Sequence, residues 1–348
     1  MQSRRIKQSV RHASAGRFLI IVAAILAMSS CGNRQEPKPI RIGGTAQGTY
    51  YTISYCDSLE RNLQPMVDSM LDAFDQSASL WVDSSLLRRI NDNLTDSLDP
   101  ILYNLLWHST EVFHYTDGAF NCFVGRIVQE WGFSFRQRQE PDSARLQRLL
   151  QAAHAPVYID NHHHIVRTDP LTELDFNAIA QGYSVDLLAA AFDSLGVENY
   201  LIDVGGEVKA RGTKNDGQPW RVGIERPSAD SIAAPQMLTA IALRDASVVT
   251  SGSYRKYYER DGVRYSHTID PETGRPAQHS LLSVSVVEKE CWFADAMATA
   301  YMVMGLEKSL DFIKTHQGQP GTAAVMFIYD DHGTLKTYET PEFKKLAI

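Results

Sequence analysis

The stretch TSGSYRKYYERDGVRYSHTIDPETGRPA, residues 250–277, constrains the fold of this 348-residue chain more than any other. Asp261-Gly262 lies between two alternating runs, and a two-residue hairpin turn of this kind needs positive φ at both central positions, which Asp-Gly adopts readily. The two runs are therefore antiparallel neighbours. Counting outward from the turn pairs Arg260 with Val263, Glu259 with Arg264, Tyr258 with Tyr265 and Lys256 with His267. Tyr254, Lys256, Tyr258, Tyr265, His267 and Ile269 then share one face. Immediately afterwards the chain turns again at Asp270-Pro271, where proline fixes φ and Gly274 supplies a left-handed position. His267 and Asp270 are thus held at a strand end. Aromatic surroundings and a facing lysine both favour a neutral imidazole, which can act as a base. The same geometry also describes a core histidine satisfied by a hydrogen bond.

Elsewhere short elements of both kinds alternate without a repeat. GTYYTISY (48–55) has strand periodicity, PMVDSMLDAFDQSASLW has helical spacing, and PILYNLLWHSTEVFHYTDG is a helix that stops at Asp117-Gly118. VYIDNHHHIVRTD forms a hairpin with His162, His163 and His164 at its turn. Adjacent residues on an extended chain point to opposite faces, so a solvated loop outweighs a metal site there. A helix (QGYSVDLLAAAFDSLG), a strand into a glycine pair (YLIDVGGEVKARG) and a further strand (PWRVGIERP) follow. Strict βαβ alternation is missing, so the fold class is α+β, with mixed or antiparallel sheets and flanking helices. Neither GxGxxG nor GxxxxGK[ST] occurs, which removes a Rossmann fingerprint and a P-loop.

The N-terminus has the layout of a secretory signal. Five basic residues (Arg4, Arg5, Lys7, Arg11, Arg17) and no acid precede the eleven apolar residues 18–28, too few to span a bilayer as a helix. MSSCG follows, and this pattern resembles a lipoprotein cleavage site with Cys31 as the lipidated first residue. The expected organisation is a signal peptide over 1–30, a lipidated tether over 31–42 and one domain over 43–348. The eight polar residues 32–39 reach at most about 28 Å, keeping the body close to a membrane. Removing the five positive charges of the signal takes the formal net charge from −7 to −12. Such an acidic body argues against nucleic acid or anionic lipid as a partner. Besides Cys31 there are only Cys56, Cys122 and Cys291, too widely spaced for a metal site and read as buried apolar residues.

A second constellation lies in WFADAMATAYMVMG, residues 292–305. Asp295 and Thr299 are four apart and share a helix face. A carboxylate and a hydroxyl are hard oxygen ligands suited to Mg²⁺. Equally, an acid in a first helical turn and a threonine bonded back to its own helix need no metal.

The 250–277 stretch followed by ADAMATAYMVMG resembles the ApbE family of periplasmic FAD:protein FMN transferases. GAFNCFVGRIVQEWGF (118–133) looks like the family's GAFD segment, DFNAIAQGYSVD (175–186) is similar to its LDLGGIAKGYAVD element, and YLIDVGGEV and PWRVGIERP match the strands that follow. The likeness runs in the same order over nearly all of residues 43–306. It implies an ApbE-like fold and Mg²⁺ held by Asp295, Thr299 and the Ala178 carbonyl. It also implies FAD contacts at Gln47, Trp81, Ala119, Phe120, Asn121, Asp175, Gln181 and Ile269. Gln47 stands where methionine is usual, Asn121 where aspartate is usual, and Gln181 where lysine is common.

The implied reaction is transfer of FMN from FAD to a serine or threonine hydroxyl of an acceptor protein, with release of AMP. Such chemistry is mostly positioning and charge stabilisation. His267 is the candidate base, with Asp270 next to it. The resemblance implies acceptors among subunits of membrane redox complexes, and a lipid-anchored enzyme of the bacterial cell envelope facing the periplasm. FAD hydrolysis to FMN and AMP, or flavin binding without turnover, are the alternatives. If Cys31 carries the anchor, Cys31→Ser leaves the detergent phase in a phase-partition experiment; a variant that stays as membrane-bound as wild type overturns the lipoprotein reading.

Overall fold

The computed structural model describes residues 39–133, 142–228, 236–253, 257–260 and 263–348, the strands at 257–260 and 263–266 by their backbone only. The signal segment, Cys31, Tyr254, Lys256 and the Asp261-Gly262 turn lie outside the described residues. The folded body starts earlier than expected, since residues 39–42, assigned to the tether, open strand β1 (Pro39–Ala46).

β1 pairs with β2 (Thr49–Cys56) as a hairpin. Helices α1 (Gln64–Ala78), α2 (Leu86–Asn91), α3 (Pro100–Tyr115), α4 (Gly125–Glu130) and α5 (Ser143–Ala153) follow. α3 shows why the local sequence suffices for such an element. Asp99 Oδ1 accepts from the Leu102 N–H at 2.8 Å and Pro100 takes the first helical position, while Asp117 and Gly118 adopt φ of 50° and 84° past its end. The hairpin β3 (Val157–Ile159) and β4 (Ile165–Arg167) has the histidine turn, whose N–H groups at His162 and His164 bind Asp160 Oδ1.

After α6 (Ala180–Ser194) come β5 (Asn199–Val204), β6 (Glu207–Arg211), β7 (Trp220–Glu225), β8 (Met237–Leu243) and β9 (Ala246–Gly252). β10 (Tyr257–Arg260) and β11 (Val263–Ser266) keep the register counted from the Asp-Gly turn, with Arg260 opposite Val263 and Tyr258 opposite Tyr265. The strand does not continue through Ile269, contrary to expectation. Ile269 opens a separate strand β12 (Ile269–Asp270) that pairs with β13 (Arg275–Pro276), because the Pro271 turn folds the chain back at once. β14 (Leu281–Glu288), α7 (Cys291–Thr315), β15 (Ala324–Asp331), β16 (Thr334–Glu339) and α8 (Pro341–Leu346) complete the order.

The first helical stretch of α7 ends at Gly305, as the sequence expectation has it, and a second stretch follows. Gly305 breaks the helix with φ 74° and ψ 174°, and His279 Nε2 lies 2.7 Å from the Met302 carbonyl that the break releases.

The main sheet has strand order β1-β2-β5-β6-β9-β14-β15-β16 and is antiparallel throughout, which makes the fold α+β. Alternate residues serve its two faces. Tyr51, Ile53, Ile202, Val204, Val286 and Phe327 pack against α6 and α7, whereas Val208, Val248, Val287 and Met326 pack under the β7–β8 hairpin and Phe343 of α8. β14 lies between and is buried on both faces. A smaller core joins α4, α5 and β12 through Ile127, Trp131, Leu146 and Ile269. Cys56, Cys122 and Cys291 are buried, as expected of apolar cysteines.

Candidate active site

The centre of the site is the crossing of α6 over α7. The Gly182 N–H donates to Asp295 Oδ2 at 3.0 Å. A Cβ on Gly182 would stand 2.6 Å from the Cys291 carbonyl oxygen and 2.8 Å from Asp295 Cβ, so only glycine permits this approach. Gly182 is the third residue of α6, so its N–H is one of the first-turn donors that have no partner within the helix, and Asp295 satisfies it from α7.

One turn along α7, the Thr299 hydroxyl lies 3.4 Å from Ser251 Oγ of β9. Asp295 is only 4% exposed, and burial pushes its carboxyl up to about 7 while the Gly182 N–H pulls the other way. A desolvated carboxylate with a hydroxyl one turn along the same helix offers oxygen donors that a hard cation would relieve, so these residues fit Mg²⁺.

A second group gathers at the β1–β2 turn. Gln47 has φ 53°, and its N–H binds Asp75 Oδ2 of α1 at 3.3 Å. A cleft of about 470 Å³ opens beside it, lined by Thr45, Ala46, Gly48 and Thr49. Gln181 reaches the same place, because Gly205 (φ 64°) leaves room: a Cβ there would lie 2.1 Å from Gln181 Nε2 and 2.7 Å from Thr49 Cγ2. Ser184 Oγ lies between, 2.7 Å from the Gln181 carbonyl and 3.4 Å from Gln47 Oε1. A hydroxyl has one proton, so the shorter contact takes it and Gln47 is weakly held. Gln47 Nε2 is buried without a hydrogen-bond partner among the described residues.

Asn121 and Asp175 occupy adjoining segments, joined by the Asp175 N–H to the Cys122 carbonyl at 2.8 Å. Asn121 Oδ1 accepts from the Phe123 N–H at 2.7 Å, so the amide performs the turn-capping role an aspartate would. Burial raises the Asp175 carboxyl, against the pull of the Asn177 N–H. Ala119 is partly buried, but the Phe120 ring belongs to the main core, which leaves only its backbone to face a ligand. Trp81 stands 61% exposed beyond the end of α1, a helix that packs on β1 and α6.

His267 is partly exposed between β11 and β12, and β12 lies against α7, the helix of Asp295 and Thr299. Ile269 is buried in the smaller core. Asp270 Oδ1 accepts from the N–H groups of Glu272 and Thr273 at 2.8 and 3.4 Å, and its carbonyl takes the Gly274 N–H at 2.8 Å. Gly274 has φ 67°, and Trp131 Nε1 donates to its carbonyl at 2.7 Å. The Asp270 carboxylate is thus committed to holding the turn next to His267.

A model of the ApbE family matches residues 47–326. The chain belongs to the ApbE family. The FAD:protein FMN transferase of Vibrio cholerae is 32% identical over 338 residues, covering 94% of this chain and 98% of that protein. That of Escherichia coli K12 is also 32% identical, with coverage of 94% and 96%. Among solved structures, the flavin transferase ApbE from Vibrio cholerae superposes with TM-score 0.77 at 30% identity, covering 89% and 99% of the two chains. The apo flavinyl transferase ApbE of Pseudomonas stutzeri gives 0.78 at 31%, covering 89% and 97%. These ApbE structures share the α+β architecture.

Several residues that shape the site had little sequence signal. Ser184, Gly205 and Ser251 are brought in by tertiary contacts alone. Gly182 had one, a glycine inside a helical pattern, which marks a close approach. Gly182→Ala is expected to lower folding stability by about 1–3 kcal/mol through overpacking. A urea midpoint unchanged from wild type would show that the two helices have room to part.

Proposed function

We propose that this ApbE-family chain transfers FMN from FAD to a serine or threonine hydroxyl of an acceptor protein. The reading is supported above all by the Gly182 N–H to Asp295 contact at the crossing of α6 and α7, one turn of α7 from Thr299 and next in sequence to Gln181. The relatives named FAD:protein FMN transferase support the flavin-transfer part.

In the proposed step the acceptor hydroxyl oxygen forms a bond to the phosphorus on the FMN side of the pyrophosphate. The bond from that phosphorus to the bridging oxygen breaks, and AMP leaves with its electron pair. Mg²⁺ bound at Asp295, Thr299 and the Ala178 carbonyl would supply neutralisation of the phosphate charge. His267 takes the hydroxyl proton, and the Asp270 turn, pinned by Trp131, fixes the imidazole at the strand end. Gln47 Nε2, buried and unpaired, offers a donor to the substrate, and the loosely held amide can rotate to offer its oxygen instead. Asn121 keeps its turn without the family's negative charge. The acceptor hydroxyl belongs to a subunit of a membrane redox complex in this reading, and a lipidated Cys31 would keep the enzyme at the periplasmic membrane surface.

Incubation with FAD and Mg²⁺, with and without an acceptor subunit, tests the reaction class. AMP released together with a flavinylated acceptor is expected. AMP without acceptor indicates hydrolysis, and no AMP indicates a binding protein.

His267→Asn is expected to slow single-turnover transfer by about 10²- to 10⁴-fold with FAD affinity retained. Transfer near the wild-type rate would return His267 to a structural role.

Asp295→Asn separates stability from activity. The folded carboxyl titrates near 7 against an ordinary 3.8, so the folded state holds its proton more tightly than the unfolded chain. Its contribution is favourable at low pH and turns against folding as pH rises from 3.8 to about 7. Asparagine removes the charge and can still accept from Gly182. At pH 8 the metal-free variant should therefore melt no lower than wild type, while Mg²⁺-dependent AMP release is lost. Full activity in this variant would refute the metal site.

A further inference from the structure

Lys209 of β6 places its ammonium 2.6 Å from Asp186 Oδ1 of α6 and 3.0 Å from Glu290 Oε2. The Lys209 and Asp186 side chains are only 15% and 11% exposed. The other Asp186 oxygen accepts the Trp292 N–H at 2.8 Å. Trp292 is the second residue of α7, whose own N-cap, Glu290, makes no side-chain capping bond. Asp186 therefore caps α7 from a neighbouring helix, satisfying an N–H that would otherwise be orphaned at a buried helix end.

Asp186 lies one turn after Gly182 on α6, and Asp295 one turn after Cys291 on α7. The two helices are clasped at successive turns in opposite senses. α6 donates to α7 at Gly182–Asp295 and accepts from it at Asp186–Trp292. Sliding or rotating α6 against α7 breaks at least one of these bonds, and Lys209 ties the clasp to the sheet. Mg²⁺ demands near-ideal octahedral geometry, so a small displacement of one carboxylate shows as lost affinity. We infer that the Asp186–Lys209 pair is a positioning device for the oxygen-ligand site, holding α7 so that Asp295 and Thr299 stay in register with the Ala178 carbonyl. The inference rests on the metal reading proposed above.

The test compares wild type with Lys209→Met, with Lys209→Arg and with the double variant Asp186→Asn/Lys209→Met. Mg²⁺ alone is titrated calorimetrically into each protein, the half-saturating Mg²⁺ for AMP release is measured, and FAD affinity is determined without metal. The expected result is Mg²⁺ binding weakened about 10- to 100-fold in Lys209→Met, the usual effect of losing a group that orients a ligand. FAD affinity should hold within about twofold on this reading, because the pair lies on the metal side of the crossing. Excess Mg²⁺ should recover most of the activity, and Lys209→Arg should bind Mg²⁺ more tightly than Lys209→Met. Should the single variant fail to fold, the double variant, which leaves no uncompensated buried charge, takes its place in the same titrations. Folded variants that bind Mg²⁺ like wild type, or that lose activity equally at all Mg²⁺ concentrations, overturn the positioning role. A wild-type protein that neither binds nor responds to Mg²⁺ overturns the metal reading itself, a result visible before any variant is made.

Discussion

At Gly182 the backbones of α6 and α7 approach more closely than any residue with a Cβ permits. That contact gives a first-turn N–H of α6, which has no partner in its own helix, to the Asp295 carboxylate. It also fixes where Gln181 and Ser184 emerge on the other side of α6, because they are rigidly spaced from Gly182 on the same helix. The oxygen donors and the amide group are therefore one construction rather than two. α7 in turn packs on β9 and β14, and β12 packs on α7, so the strand end bearing His267 takes its position from the same crossing.

The arrangement sets local stability against chemistry. A carboxylate at Asp295 is nearly excluded from water, and its protonated form is favoured until about pH 7. Burial of Asp186 is a similar burden, relieved there by Lys209 and the α7 N-terminus. The two acids lie along neighbouring turns of the same crossing yet differ in what surrounds them. Asp186 is paired with a lysine and accepts the Trp292 N–H, whereas Asp295 accepts the Gly182 N–H. Proteins tolerate such unrelieved groups where function requires them and compensate elsewhere. Here the compensation is the doubly covered sheet, with β14 buried on both faces.

Local order was legible in the sequence wherever one short stretch determines it. Asp261-Gly262 set the β10–β11 register, Asp270 to Gly274 declared a turn, and Asp99-Pro100 marked the start of α3. Alternation and helical spacing gave the α+β class. The failures have physical causes of the same kind. Ile269 left the hairpin because the Pro271 turn reverses the chain immediately, whereas the helix end expected at Gly305 is present as a break in α7. Asp295 and Thr299 could be paired by spacing, but Ala178 was named only through family resemblance. The bond from Gly182 to Asp295 had no sequence sign, because it exists only when two distant segments meet. Lys209 and Asp186 were invisible for that reason: neither has a neighbour in sequence that hints at the other.

The strand order of the main sheet has a consequence for how the chain must assemble. β1 and β2 are made first, yet β2 ends at Cys56 and its inner partner β5 begins only at Asn199. β9 likewise waits for β14 across the whole β10–β13 region. Contacts so distant in sequence carry a high loop-closure cost before they repay it, and they slow folding. Until α6 and β5 have emerged, the first hairpin has an open inner edge and Tyr51, Ile53 and Tyr55 have no complete core to enter. The main sheet therefore cannot close until these distant strands are available, and its unpaired strands are exposed to edge pairing on the way.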